Sequence, residues 1–378
     1  MLSKVKLSCA LLACASSLPR FRLPSFRVVI ALAGVMTAMW LTSAGDFACA
    51  QEPADAQASV ALELVSVAKI SDSAPHSAFT DLIWHDGFYC VFREGARHVS
   101  EEASIRVLYS PDGGEWNSVA EIAVEGIDLR DAKISVTPSG KLALLCGAAE
   151  REGSGPATRH RNFLYTSSNG RDWDGPQEAA RENTWLWRIT WHGEDAYGVG
   201  YEVAPQKRAA KEYGTTLWRG RENAKMETII EPLFTENGPT ESTLRFGSDE
   251  TLYCLQRRDG RPTNTAILGH SRPPYQDWTW RDLGAYYGGP NFLQVTADDA
   301  QAWIAGGRLH VADKGSRTVL CELDVDDAKL IPLLELPSGG DTSYPGLVWR
   351  ENRLYVSYYS SHEGKTSIYF AEVKVTAK

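Results

Sequence analysis

The chain has 378 residues, 43% of them apolar, and carries 39 Lys and Arg against 48 Asp and Glu, a formal net charge of −9. So acidic a surface argues against nucleic acid or an anionic membrane as the main partner. An anionic small substrate would need a local basic pocket to override the global field.

The first 50 residues stand apart. Lys4, Lys6, Arg20, Arg22 and Arg27 precede an apolar run from Val28 to Leu41, and Ala48-Cys49-Ala50 follows. A basic region, a short apolar core and a small-residue cleavage site read as a secretory signal over residues 1–50, removed near Ala50 on export to the periplasm or the medium. The run falls short of the roughly 20 residues that a membrane-spanning helix needs. A lipid anchor on Cys49 is the weaker reading, because Asp46 and Phe47 fit such a site poorly. Removal of five basic residues and Asp46 leaves 34 Lys/Arg against 47 Asp/Glu, a net charge of −13. No later run is long enough to cross a membrane, residues 51–59 read as a polar linker, and residues 60–378 read as one domain.

Val60 to Ile70 is predicted to be a strand. After it a turn-plus-strand unit recurs, as HDGFYCVFRE from His85, PSGKLALLCG from Pro138, HGEDAYGVGYE from His192, GSDETLYCLQRR from Gly247, ADDAQAWIAGGR from Ala297 and RENRLYVSYYS from Arg350. The starts lie 53, 54, 55, 50 and 53 residues apart. An apolar run also precedes each turn, so each period opens with a β-hairpin and has room for two more strands. Four strands in about fifty residues, repeated radially, make a propeller blade. The sequence therefore predicts an all-β chain, a six-bladed β-propeller of four-stranded antiparallel blades. Val60–Ile70 would join the last blade and close the ring, which removes an exposed edge. Only ENAKMETIIEPL, residues 222–233, is ambiguous between helix and strand.

Two turns share a tighter signature, Ser110-Pro-Asp-Gly-Gly-Glu-Trp116 and Ser167-Ser-Asn-Gly-Arg-Asp-Trp173, and Ser271-Arg-Pro-Pro-Tyr-Gln-Asp-Trp278 is a degenerate third. The short polar side chain bonds its own turn, Gly takes a positive φ, and Trp packs beneath. Cys90, Cys146, Cys254 and Cys321 all lie inside apolar strand runs without metal-ligand spacing, and read as buried small hydrophobes. Gly364-Lys365-Thr366 fails as the end of a phosphate loop, because Tyr359 stands where a Gly is required. No pattern predicts a metal or a cofactor.

Chemistry in such a fold is expected where inner strands begin and second strands end, around the channel mouth. The inner-strand starts supply Asp81, Arg130 with Asp131, Arg188, Glu241, Asn291 and Tyr344. The second-strand ends supply Arg93 with Glu94, Glu202, Arg257 with Arg258, Arg308, and Ser361-His362-Glu363. Arg, Glu, Asp and Tyr converging on a concave mouth suit recognition of a carboxylate or a sugar.

The Ser-to-Trp turns resemble the Asp boxes of the sialidase and BNR-repeat superfamily, where they are structural. The hairpin residues sharpen that resemblance over residues 75–375. Sialidases open an inner strand with Glu and close the hairpin with Arg about sixteen residues later, as do Glu241 in PTESTLRF and Arg257 in YCLQRRDG. Tyr344 in SYPGLVW is placed like the family's Tyr at the start of the last blade, and Arg308 in AGGRLH like the Arg between. The resemblance implies a retaining glycoside hydrolase with Tyr344 as nucleophile, Glu241 as its base, and Arg257 with Arg308 in a carboxylate clamp. A sialic acid carries its carboxylate on the anomeric carbon, so a neutral phenol avoids the repulsion that a carboxylate nucleophile would meet.

Two departures bear on the substrate. The first-blade Arg-Ile-Pro element of sialidases is Ala78-Phe79-Thr80 here, leaving Arg93 as the replacement clamp residue, with Arg188 a further substrate-binding candidate. The family's acid Asp lies in the loop after that hairpin, which here reads GARHVSEEAS with Glu101 and Glu102, so Asp81 and Asp131 are rival acids. The expectation is an exported, monomeric glycosidase acting on a terminal, acidic sugar of a glycan or glycoconjugate. The alternatives are a non-catalytic propeller that binds glycans or protein, and a glycosidase or lyase acting on another acidic sugar.

Overall fold

The computed structural model describes residues 58–152, 155–209 and 213–378; the expected signal at residues 1–50 and most of the linker lie outside the described residues. The described chain is all-β, with 24 strands and one short helix, Pro205–Ala209. The predicted hairpins form as His76–Trp84 with Phe88–Gly95, Ile127–Val136 with Leu142–Arg151, Thr184–His192 with Asp195–Glu202, Pro239–Phe246 with Leu252–Arg258, Gly288–Ala297 with Ala300–Val311, and Thr342–Arg350 with Arg353–Ser360. Each is the start of a four-stranded antiparallel set, numbered here in chain order as the first to the last sheet. The first two sets run together through a single parallel bridge, Ala103 to Asp128. The ambiguous stretch resolves as a strand, Glu227–Phe234.

Burial explains the sequence pattern. Phe88 to Glu94 is buried without a break, whereas Asp174–Glu178 at a sheet's outer edge is exposed throughout. A strand covered on both faces reads as a continuous apolar run, and a rim strand does not. In the last sheet the fourth strand comes from the other end of the chain: Val60–Ser71 pairs antiparallel with Ser367–Ala377, from Val60 opposite Ala377 to Ser71 opposite Ile368. Its entry is pinned by Glu322, whose carboxylate accepts from the Ser59 and Val60 backbone N–H groups and from Ser59 Oγ.

Side chains tie the first strands of successive sheets to one another. Ile134 N donates to Asp81 Oδ2, Trp191 Nε1 to Ser135 Oγ, Thr190 Oγ1 to Leu244 O and Thr243 Oγ1 to Pro290 O. Asn291 Nδ2 donates to Pro345 O, and Thr80 Oγ1 to Tyr344 O, which links the first sheet to the last. At that last junction a Cβ on Gly346 would lie 2.2 Å from Leu82 N, so only glycine permits the approach.

The Ser-to-Trp turns close as their residues dictate. Gly113 N and Gly170 N donate to Ser110 Oγ and Ser167 Oγ, and each turn's indole N–H donates to the carbonyl three residues back. The degenerate copy keeps that last bond, Trp278 Nε1 to Tyr275 O. The four cysteines are free and buried. Between the second and third sheets, buried Asn162 donates from Nδ2 to Thr184 O and accepts from Leu186 N. Asn162→Ala orphans both backbone groups at about 1–3 kcal/mol each. Urea unfolding should show a loss of roughly 2–4 kcal/mol, and a loss below about 1 kcal/mol would mean the clamp is dispensable.

Candidate active site

Each first strand carries a β-bulge against its hairpin partner, at Phe79-Thr80, Asp131-Ala132, Trp187-Arg188, Thr240-Glu241, Gly289-Pro290 and Tyr344-Pro345. A bulge leaves residues unpaired and re-aims their side chains. At Phe79, Asp131, Gly289 and Tyr344 the bulge residue has positive φ, between 53° and 63°. For the three non-glycines this left-handed backbone is unfavourable by about 1–2 kcal/mol, strain that recurs at functional positions. Asp131 and Tyr344 thus occupy equivalent sites in the second and last sheets.

Glu241 is the hub. It is 5% exposed. Its Oε1 accepts from the Tyr344 hydroxyl and from Arg257 Nη1 at 2.7 Å, and its Oε2 accepts from Gly289 N at 2.7 Å. Gly289 is required, because a Cβ there would lie 2.8 Å from the Tyr344 ring. Burial pushes the Glu241 carboxyl up, but the Arg257 charge, the donated hydrogen bonds and Arg308 outweigh it and hold it below its usual range. Tyr344 moves the other way: burial, then the Glu241 charge, raise its hydroxyl well above the ordinary phenol value. Arg257 Nη1 also reaches the Tyr344 oxygen at 3.4 Å, so one guanidinium spans both oxygens that share the proton.

Glu241, Arg257 and Tyr344 line a cavity of about 270 Å³ with Asp131, Arg130, Arg151, His160, Trp185, Tyr201 and Asp259. Asp131 is 9% exposed and its Oδ1 has no hydrogen-bond partner. Burial raises its pKa against the pull of Arg130 and Lys133, which favours a protonated carboxyl. Arg130 also covers the Phe79 ring at 5.0 Å. Sequence reading had noted Arg130 only as a strand start. It missed Arg151, His160, Trp185 and Tyr201, which reach the cavity from second and third strands or from before a bulge.

Not all the expected residues meet there. Asp81 pairs with Arg188 at 2.7 Å, accepts from Ile134 N, and lines a different cavity of about 530 Å³ bounded by residues further along the first strands. Asp81 as the acid and Arg188 as a substrate ligand are therefore corrected: each neutralises the other in the packing between sheets. Arg93 is fully buried, donating from Nε to Asp128 at 2.7 Å and from Nη1 to Arg97 O. It does not line the cavity, and its expected place in the clamp is corrected likewise. Arg308 donates to Thr342 O and Tyr286 Oη, and burial's downward pull on its pKa is outweighed by the Tyr344, Tyr359 and Tyr286 hydroxyls.

Beneath the bulges, Phe79, Trp187, Tyr344 and Tyr359 pack in one apolar cluster. Lys133 Nζ is buried with them, 4.6 Å from the Trp187 ring centroid and 5.6 Å from that of Tyr344, and donates to Ala132 O. Burial lowers its pKa from 10.5 to about 8, with Asp81 pulling up and Arg188 down. The folded protein thus releases this proton near pH 8 while the unfolded chain keeps it to about 10.4. In that window the unfolded state binds more protons, so stability rises with pH. Relative to Lys133→Met, the parent should gain about 1 kcal/mol per pH unit between pH 8 and 10 in denaturant titrations; a constant difference would place the Lys133 titration elsewhere.

No protein-family model and no curated protein matches the chain. Solved structures do. A protein of unknown function from Dyadobacter fermentans superposes with a TM-score of 0.68 at 15% identity, covering 83% of this chain and 99% of that one. The α-L-arabinofuranosidase Arb93A from Fusarium graminearum, in complex with an iminosugar inhibitor, gives 0.64 at 12% identity, covering 82% and 98%. Trypanosoma rangeli sialidase in complex with sialic acid gives 0.60 at 13% identity, covering 83% of this chain and 59% of the sialidase. The likeness to sialidases read from the hairpin residues therefore holds at the level of the fold, and the chain has the fold of the β-propeller glycosidases.

Proposed function

We propose that this protein is an exported, monomeric glycoside hydrolase that removes a terminal, acidic sugar from a glycan with retention, on a closed six-bladed propeller completed by Val60–Ser71. The unbroken series of hydrogen bonds between first strands, returning from the last sheet to the first, supports the blade count. The reaction rests on one observation: the Tyr344 hydroxyl donates to an ionised Glu241 whose charge is held by Arg257 and Gly289 N, in a cavity that also contains Asp131. Relatives of this fold that are glycosidases lend the reading its class.

In the proposed sequence Tyr344 Oη attacks the anomeric carbon and passes its proton to Glu241. Asp131, whose pKa burial raises, gives its proton to the departing glycosidic oxygen. Water that Asp131 deprotonates then attacks the anomeric carbon of the aryl glycoside formed on Tyr344, the bond to Oη breaks, and Glu241 returns its proton to Tyr344. As that first proton moves, negative charge passes from Glu241 toward the tyrosyl oxygen, and Arg257 already contacts both oxygens, so little reorganisation is needed. Arg257, Arg308 and Arg130 would receive the substrate carboxylate. The binding-module alternative finds less support. That alternative does not account for the buried Tyr344–Glu241–Arg257 contact, which binding alone does not require.

Purified protein should hydrolyse a fluorogenic α-sialoside, with an α-L-arabinofuranoside assayed beside it. Glu241→Gln should cut kcat by about 10²–10⁴-fold and Tyr344→Phe by at least as much. Asp131→Asn should cost most on substrates with poor leaving groups and little on activated aryl glycosides. Turnover of the arabinofuranoside alone would move the substrate to a neutral sugar, and folded protein inactive on every glycoside would overturn the enzymatic reading.

A further inference from the structure

Phe79 packs edge-to-face against Tyr344 with centroids 5.2 Å apart and against His98 at the same distance, and so connects the cavity to a second polar cluster. There His76 Nε2 and His98 Nδ1 both approach Asp341 Oδ2, at 3.3 and 2.8 Å, and the three atoms lie within 4.8 Å of one another. His76 opens the first strand of the first sheet, His98 lies in the loop after the first hairpin, and Asp341 immediately precedes the first strand of the last sheet.

We propose that His76, His98 and Asp341 form a binding site for a divalent transition metal of the zinc class, at the seam where the first and last sheets meet. Two imidazoles and a carboxylate are a donor set that zinc accepts in sites with an open fourth position. Tetrahedral coordination with bonds of about 2.0–2.1 Å sets ligand atoms about 3.3 Å apart, the separation of His76 Nε2 from Asp341 Oδ2, while His98 Nδ1, on a loop, stands closer at 2.8 Å and would move outward to admit the ion. The carboxylate is held for the task. Tyr359 Oη donates to its other oxygen at 2.9 Å, and the Asp341 backbone N–H is fixed on Ser361 Oγ. Such outer partners orient a ligand and leave the remaining oxygen free for the ion. His76 is buried while the His98 side chain is 54% exposed, which gives the ion an entry route and the open position a solvent-facing side.

The sequence predicted no metal, because the ligands are separated by 243 and 265 residues and share no spacing motif. Their meeting is a product of the seam, where Ser77 N donates to Thr366 O and Thr80 Oγ1 to Tyr344 O. A bound ion would cross-link the first and last sheets, and binding to the folded state alone raises stability with metal concentration. The site does not depend on the proposed reaction.

The test is calorimetric titration of the chelator-treated full chain with zinc chloride, with cobalt absorption as a probe of tetrahedral geometry and melting temperature followed in parallel. The expected result is one zinc per chain, a tetrahedral cobalt spectrum, and a melting temperature that climbs with zinc. His98→Ala, at a half-exposed loop position, and Asp341→Asn should each weaken binding by about tenfold or more and flatten the thermal response. Absence of zinc binding by the folded parent would overturn the site, as would binding undiminished in both variants.

Discussion

A buried carboxylate governs this molecule's working end. Glu241 is almost without solvent, so its charge persists only because Arg257, the Tyr344 hydroxyl and the Gly289 N–H together replace the water it has lost. Removing one partner from such a group leaves an uncompensated charge, a cost of roughly 3–5 kcal/mol. The demand reaches back into the sequence. Gly289 admits no Cβ beside the Tyr344 ring, and Tyr344 itself sits at positive φ to bring its hydroxyl to bear. Three sheets must therefore stay in register for one carboxylate to be satisfied.

That register is maintained by polar contacts between first strands rather than by apolar packing alone. Asp81 is the clearest case: its carboxylate joins the first sheet to the second through Ile134 N and to the third through Arg188. Asp128 does similar service, holding Arg93 at 2.7 Å while Arg130 and Arg151 lie within 3.5 Å. Charges that look catalytic in a list of strand ends are here the fasteners of the framework. Arg257, Arg130 and Asp131, at the same end of the sheets, face the cavity.

How far the sequence reveals this depends on the kind of information involved. Hairpins repeat at nearly constant spacing, and alternating turn residues and apolar runs are local signals, so the sheets and the strand Val60–Ser71 could be read directly. Depth along a strand is not local. The bulges make Phe79, Asp131, Trp187, Thr240, Gly289 and Tyr344 equivalent, and place Asp81 two positions further on beside the counterparts Lys133 and Asn291. Reading all strand starts as one level therefore mixed cavity residues with packing residues. The same holds for the arginines. Arg93 sits opposite Ala78 as Arg258 sits opposite Pro239, both buried, whereas Arg257, one residue earlier, is turned to the other face and reaches Glu241. The pairing of Glu241, Arg257 and Tyr344 was legible because it rested on residue type in a matching hairpin, which the bulge preserves. The His76–His98–Asp341 meeting was not, since nothing in the sequence reports which chain ends adjoin.

In the proposed reaction Tyr344, and no carboxylate, takes the sugar. Trapping decides it most directly: incubation with 2,3-difluorosialic acid, followed by intact-mass and peptide mapping. The expected result is a single glycosyl adduct on the peptide bearing Tyr344, absent from Tyr344→Phe. An adduct on Glu241 or Asp131, or turnover of a sialoside with no adduct on Tyr344, would contradict it.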